Sequence, residues 1–111
     1  MSRAYLGEFE ELVLLIIASL GNEGYAVSVK DALSDQANRK VNISAIHSAL
    51  YRLEKKGFLN SRMGGATSTR GGKNKRIFQV TAAGFSALQA SKDLRSSIWK
   101  TIPQLSFAVI N

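Results

Sequence analysis

The sequence of residues 41–58 is VNISAIHSALYRLEKKGF. Ile46, Leu50 and Leu53 recur in it at intervals of four and three residues, which is the spacing of one face of an α-helix. This pattern predicts an amphipathic helix over about residues 44–56, with its apolar face turned toward a core. The opposite face is polar and basic, so the same helix offers a surface to a charged partner.

The polar face of this helix suits contact with DNA. One turn separates His47 from Tyr51 and Ser48 from Arg52, so each pair can reach the same base edges or phosphates. An arginine can bind guanine through two hydrogen bonds, whereas hydroxyl and imidazole groups can donate to phosphates or bases. The alternative is a solvated helix face on which Tyr51 only covers the edge of the core. The candidate DNA contacts in this stretch are Asn42, Ser44, His47, Ser48, Tyr51, Arg52 and Lys55.

Two helices are predicted before this one. Apolar residues between Phe9 and Leu20 recur at helical spacing and indicate the first. Leu12, Leu14 and Leu15 widen its apolar surface beyond one stripe, so this helix is either central in the core or also faces a partner chain. A second, shorter helix is predicted over Val27 to Gln36.

A hairpin is predicted after the third helix. Its strands run over Phe58 to Met63 and Arg76 to Val80, with Phe78 and Val80 on one face and Ile77 on the other. The connection between the strands is rich in glycine, which lets a backbone approach a phosphate or the minor groove without obstruction. The basic candidate DNA contacts of this hairpin are Arg70, Lys73, Lys75 and Arg76.

A long fourth helix is predicted at the C-terminal end. Thr81 can cap it, and it runs from Ala82 toward Ile102, where Pro103 would end it. At 1.5 Å per residue it would be about 31 Å long, more than so small a core needs to cover. We expect the apolar tail from Leu105 to Ile110 to pack against this helix or a second subunit. The candidate dimer or effector contacts are Phe85, Leu88, Leu94, Ile98, Trp99 and Ile102.

Composition and charge favour one domain that binds a polyanion. The chain has 111 residues, no cysteine and a net charge of +7, and this length fits a single core that needs no disulfide. From Arg39 to Arg76 ten basic residues face one acid, Glu54, whereas the rest of the chain has five basic and seven acidic residues. Positive charge confined to one segment is typical of a nucleic-acid-binding surface. The alternative is an ordinary solvated basic face.

Catalysis, metal binding and membrane insertion have little support. The chain has a single histidine, and its acids Glu8, Glu10 and Glu11 suit the positive end of the first helix dipole. The longest apolar run, Leu12 to Ala18, is far shorter than the roughly 20 residues of a membrane span. We therefore predict no enzyme activity, no metal, no cofactor, no membrane contact and a cytoplasmic location.

The chain resembles the PadR-type bacterial transcriptional regulators from about Leu6 to Leu88. The order and spacing of several short motifs carry this resemblance. They are LGEFE at 6–10, GY at 24–25, VNISAI at 41–46, ALYRLEKKG at 49–57, RGGK at 70–73, RIFQVT at 76–81 and AG at 83–84. The chain departs from the family pattern at His47, where tyrosine is frequent, and at Ala82, where proline is frequent.

The resemblance implies a homodimeric repressor of a pseudo-palindromic operator. Its third helices would enter successive major grooves, its wings would touch the flanking backbone, and its C-terminal helices would form the dimer interface. Some family members respond to small aromatic or drug-like molecules. In some relatives a tryptophan on the C-terminal helix lines a drug pocket, and Trp99 lies on the corresponding helix here. A tryptophan at a dimer interface is more often a packing anchor.

These observations predict an α+β, mostly α, winged helix-turn-helix with a three-helix core, a β-hairpin wing and a C-terminal dimerisation helix. Residues 1–81 would form the DNA-binding domain, and residues 82–111 the dimerisation helix and apolar tail of the same compact unit. The predicted function is sequence-specific regulation of transcription on double-stranded DNA. The alternative is a winged-helix module that holds an acidic protein. RNA binding is less favoured because aromatic and basic residues do not alternate.

Overall fold

A computed structural model describes residues 6–64 and 75–103 of the chain. These residues form three helices, a two-stranded antiparallel sheet and a fourth helix, so the predicted mostly α winged helix-turn-helix is confirmed. The predicted contacts Arg70 and Lys73, and the tail from Leu105 to Ile110, lie outside the described residues. The elements are α1 (Glu8–Ser19), α2 (Ala26–Ala37), α3 (Ile43–Lys55), β1 (Leu59–Gly64), β2 (Lys75–Val80) and α4 (Ala82–Trp99).

Burial of α1 organises the core. Val13, Leu14 and Ile17 have no exposed surface, and α1 contacts α2, α3, β2 and α4. The central position, one of the two alternatives for its wide apolar surface, is therefore confirmed. Leu15 points elsewhere and is 51% exposed, so one side of α1 is still uncovered by this chain.

The hairpin joins the core through one face and through the turn that follows α1. Leu59 pairs with Val80 at the base of the hairpin, and Phe78 and Val80, which are predicted to share one face, both belong to the core cluster. Ile77, on the other face, is buried too, although outside that cluster. The Phe78 amide donates to the Gly24 carbonyl at 2.8 Å, so the segment between α1 and α2 lies along the free edge of β2.

α4 begins where predicted and ends earlier. Thr81 caps it, because its Oγ1 accepts a hydrogen bond from the Gly84 amide at 3.0 Å and donates to the Gly57 carbonyl at 2.7 Å. The prediction that the helix continues to Ile102 is wrong, since α4 ends at Trp99. The amide of Ile102 bonds three residues back, to Trp99, because the last turn tightens ahead of Pro103, which disfavours helical backbone in the residue before it.

The three acids at the start of α1 connect this helix to three parts of the fold. Both carboxylate oxygens of Glu8 accept from the Arg39 guanidinium at 2.9 Å, which lowers the pKa of Glu8. Glu11 accepts from Ser91 of α4 at 2.8 Å and lies 3.4 Å from the Arg95 guanidinium. Glu10 turns toward α3. These carboxylates were predicted as helix-dipole partners, and the structure adds tertiary ion pairs.

Gly84 marks the closest approach of α4 to the hairpin. A Cβ at this position would overlap the Phe58 carbonyl oxygen and lie 2.8 Å from Val80 Cγ1. We predict that Gly84→Ala destabilises the protein by about 1–3 kcal/mol, the usual cost of overpacking. This exceeds the gain of about 1 kcal/mol that alanine gives in an unhindered helix. Urea unfolding followed by circular dichroism measures the difference.

Ser86→Ala is the matched control, because Ser86 is exposed on the same helix. It should leave the free energy of unfolding unchanged within about 0.5 kcal/mol. A Gly84→Ala protein as stable as the unmutated chain would show that α4 does not approach the hairpin this closely.

Candidate nucleic-acid interface

The outward face of α3 is a continuous polar surface. Ser44, Ser48, Tyr51 and Lys55 are spaced so that they share one side of the helix, and all four are exposed, Tyr51 at 64%. The Lys55 Nζ atom lies 5.5 Å from the centre of the Tyr51 ring. At the start of the helix, Asn42 Oδ1 accepts from the Ala45 amide at 3.0 Å and from Ser44 Oγ at 2.8 Å.

These positions can present one phenol ring, two serine hydroxyls and one ammonium to a groove. The Asn42 side chain has a structural task as well, because its oxygen caps α3. Because this oxygen is used by the cap, a contact of Asn42 with DNA would have to come from its amide nitrogen. Otherwise Asn42 would contribute only by fixing the start of α3. The fixed start is what orients the other side chains.

Arg52 lies on one flank of this face, beside α1. Its Nε donates to Glu10 Oε2 at 2.6 Å, and Lys56 Nζ donates to Glu10 Oε1 at 2.5 Å. The Glu10 side chain is 10% exposed, whereas half of the Arg52 side-chain surface is exposed. Arg52 thus connects the buried carboxylate to the protein surface.

The ionisation of Glu10 follows from this arrangement. Burial, the largest single influence, raises the pKa of its carboxyl. The hydrogen bonds from Lys56 and Arg52 and the positive charge of Lys56 together outweigh burial, so the pKa lies below its ordinary value of 4.5. Glu10 is therefore an anion at neutral pH, and it compensates cations that belong to α3.

His47 lies on the opposite flank, beside the hairpin. It borders a pocket of about 300 Å³ between the start of α2, α3 and β2. The Lys75 Nζ atom lies 4.3 Å from the centre of the Tyr25 ring, a distance at which a cation interacts favourably with an aromatic face. The pocket is lined by Tyr25, Ala26, Val27, His47, Lys75, Arg76 and Phe78.

Arg76 belongs to a hydrogen-bond chain that crosses the hairpin. Its Nη1 donates to Ser61 Oγ at 2.9 Å, and this hydroxyl donates to Glu54 Oε2 at 2.7 Å. The chain connects both strands to α3. The structure therefore brings Lys75 and Arg76 next to the His47 flank of α3, as the winged-helix prediction requires.

Two contributors to this surface were missed in the sequence. Glu10 lies three, four and seven residues before Val13, Leu14 and Ile17, so it occupies the buried stripe of α1. A carboxylate in an apolar stripe signals a buried ion pair, because an isolated buried charge is unfavourable. Tyr25 is the second contributor. The GY motif at 24–25 gives no sign that its ring contacts Lys75 of the hairpin.

A second surface lies along α4. Phe85, Leu94, Ile98 and Trp99 are between 48% and 60% exposed, whereas Leu88 packs against the core and Ile102 is half-buried. An open groove of about 480 Å³ separates α4 from the uncovered side of α1. Its lining residues are Glu11, Leu15, Ala18, Phe85, Leu88, Gln89, Lys92, Arg95, Ser96 and Trp99.

The described part of the chain holds no cluster of three or more histidine or acidic side chains that could bind a metal. None of its helices is long and apolar enough to cross a membrane.

Solved structures share this fold at low sequence identity. A PadR family transcription regulator from Clostridium difficile matches with a TM-score of 0.73 and 18% identity, covering 89% of this chain and 98% of that chain. A PadR-like transcriptional regulator from Bacillus cereus matches at 0.68 and 22%, covering 84% and 85%. One from Eggerthella lenta matches at 0.65 and 20%, covering 84% and 80%. Comparison with curated proteins gives no match.

The family itself is shown by the sequence. The model described as "Transcriptional regulator PadR-like family" matches residues 13–90, which is more than half of the chain. This range includes most of α1, all of α2, α3 and the hairpin, and the first half of α4. The members of the PadR-like family are DNA-binding transcriptional regulators rather than enzymes, and this protein therefore belongs to that family.

Proposed function

We propose that this protein is a sequence-specific transcriptional repressor that binds double-stranded operator DNA as a homodimer in the cytoplasm. Residues 1–81 bind DNA, and residues 82–111 pair two copies as part of the same compact unit. The observation that carries the proposal is the exposed polar face of α3, which has a basic flank on each side. One flank is Arg52 beside α1, and the other is Lys75 beside His47.

This surface divides into a centre and two edges. Ser48 and Tyr51 lie in the centre and meet base edges when α3 enters the major groove. Lys55 stands one turn after Tyr51 and meets a phosphate. His47, Lys75 and Arg76 follow the backbone on the hairpin side, where the sequence also predicts contacts from Arg70 and Lys73. Phosphate contacts position the protein, and base contacts select the site.

We predict that Tyr51→Ala and Lys55→Ala weaken DNA binding in different ways. Tyr51→Ala lowers affinity for a duplex selected by the protein from random DNA by roughly tenfold, with little effect on a scrambled duplex. Lys55→Ala weakens both duplexes alike and reduces the slope of log affinity against log salt by about 1. Fluorescence anisotropy between 50 and 200 mM salt measures both effects.

Lys100→Ala is the control for charge, because Lys100 is exposed at the C-terminal end of α4, outside the proposed DNA surface. It should change neither preference nor salt slope. Failure of random-DNA selection to enrich any duplex, together with a flat salt response, would contradict DNA binding. Capture of an acidic protein in that case would support the interaction module.

The homodimer follows from the second half of α4. Between Gln89 and Trp99 every residue except Ser91 is exposed, and Leu94, Ile98 and Trp99 present apolar surface on it. A helical segment this short is marginal in water without tertiary packing. A second copy that packs its own α4 here supplies the missing contacts, and a two-fold axis makes the surface self-complementary.

We predict that the chain is a dimer at micromolar concentration and that Ile98→Lys makes it monomeric, because the substitution places a charge in the apolar interface. Ser97→Lys is the matched control, since it adds the same charge at an exposed neighbour that is turned about 100° away from Ile98 around α4. Multi-angle light scattering measures the mass. A monomeric unmutated chain would overturn the dimer.

A small aromatic molecule in the groove between α1 and α4 releases the repressor. The groove volume of about 480 Å³ is within the range of small-molecule pockets. Phe85 and Trp99 offer rings for stacking, and Lys92 and Arg95 outnumber Glu11 in the lining, so the groove favours an anionic ring. Trp99 also packs against the second copy in the proposed dimer, so the ligand and the second subunit would contact the same surface of α4.

We predict that a planar aromatic anion, 2-naphthoate, which the DNA phosphates repel, quenches the fluorescence of Trp99 and weakens the DNA complex. Trp99 is the single tryptophan of the chain, so the signal reports on this groove. Phe85→Ala should weaken the quenching, whereas Ser97→Ala, outside the groove, should not. Quenching that leaves DNA affinity unchanged would contradict release by a ligand.

A further inference from the structure

We propose that Glu10 is a positioning residue for DNA binding, one that limits non-specific affinity by holding Arg52 and Lys56 against α1. This inference rests on the proposed function, since it takes α3 as the element that enters DNA. Glu10 itself does not touch DNA. It acts through two cations at the C-terminal end of α3, Arg52 on the flank of the proposed DNA surface and Lys56 at the helix cap.

The geometry supports a clamp. The two carboxylate oxygens of Glu10 bind one cation each, Arg52 at 2.6 Å and Lys56 at 2.5 Å. These partners are four residues apart, so they stand on the same side of α3 one turn after the other. The carboxylate is almost fully buried, whereas both cations reach the surface, with 50% and 29% of their side chains exposed.

The Arg52 guanidinium is held by one edge. Its hydrogen bond within the described residues uses Nε, so the donors of its two terminal nitrogens remain for a base or phosphate. A planar group fixed at Nε presents its remaining donors in a set orientation, which lowers the entropy lost when it binds a base or phosphate. Glu10 thus fixes the direction in which Arg52 acts.

Glu10 also lowers the positive field of the recognition surface. Arg52, Lys55 and Lys56 are close in sequence at the end of α3, and Glu54 bonds to the hairpin hydroxyl of Ser61. The buried anion compensates one positive charge there without standing in the path of a phosphate. Non-specific binding depends on the cations available to phosphates. A protein that withholds such cations from random DNA improves discrimination, because specificity is a difference between two affinities.

Stability alone is a poor explanation for this residue. A buried ion pair is often no more stabilising than apolar side chains of the same volume. Position 10 continues the apolar stripe of α1, where an aliphatic residue would pack against the core. A charged residue at this position is better accounted for by what it does to the two cations.

The test compares Glu10→Gln with Glu8→Gln. Both remove one negative charge from the same turn of α1, but Glu8 pairs with Arg39, which also lies 5.5 Å from the Phe9 ring and does not belong to α3. Binding to the selected duplex and to a scrambled duplex is measured by anisotropy between 50 and 200 mM salt. Urea unfolding establishes that each variant is folded at the assay temperature.

We expect Glu10→Gln to raise affinity for the scrambled duplex several-fold and to make its salt slope steeper by about 1 to 2, because two cations become available to phosphates. The ratio of the two affinities should fall about tenfold. Glu8→Gln should leave that ratio within about twofold of the unmutated protein. Equal ratios and equal salt slopes in the two variants would overturn the inference, even if Glu10→Gln is less stable.

Glu10→Asp decides the matter if Glu10→Gln does not fold. It keeps the charge but withdraws the carboxylate by one methylene, so the salt slope should be unchanged while discrimination falls. Unchanged discrimination in a folded Glu10→Asp protein would overturn the positioning role. A different result would contradict the proposed function. In that case the unmutated chain would bind the selected and the scrambled duplex equally well.

Discussion

The burial of α1 is the constraint on which the rest of this structure depends. Its apolar stripe is covered by α2, α3, the hairpin and the start of α4, so no other element could be removed without exposing it. The same helix begins with three carboxylates in four residues. Each carboxylate forms an ion pair with a different part of the fold. Glu8 pairs with Arg39, Glu11 pairs with Arg95, and Glu10 pairs with Arg52 and Lys56. Apolar packing fixes where α1 lies, and the ion pairs fix how its neighbours are turned.

Most of the fold could be predicted from the sequence because its signals are local. The spacing of Ile46, Leu50 and Leu53, the glycine-rich connection and the cap at Thr81 each depend on neighbouring residues alone. The end of α4 was predicted three residues too late, since the tightening before Pro103 competes with an apolar pattern that continues to Ile102. Burial of Ile77 was not predicted, because alternation in a strand indicates faces and does not say what covers the second one.

The sequence could nominate candidate residues for the site, but it could not predict how they are arranged. One helical turn relates Ser48 to Arg52, yet the structure places Arg52 at an edge of α3, next to a carboxylate that precedes it by 42 residues. Such a long-range pair has no periodic signature. Likewise, the distance between Lys75 and Tyr25 depends on how the hairpin folds back on α2. Tertiary contacts decide which polar residues are central and which are flanking.

The two proposed surfaces meet on a single turn of α1. Glu10 contacts the end of α3, and the adjacent Glu11 contacts Ser91 and Arg95 beside the groove on α4. The proposed release by a ligand would therefore act over a short distance, because Glu11, which contacts Arg95, is adjacent to Glu10, which contacts Arg52. Coupling of two sites needs a contiguous element that both of them bias. The first turn of α1 contacts both proposed surfaces, and the helix is buried one turn further on, so it is the element through which the proposed coupling would act.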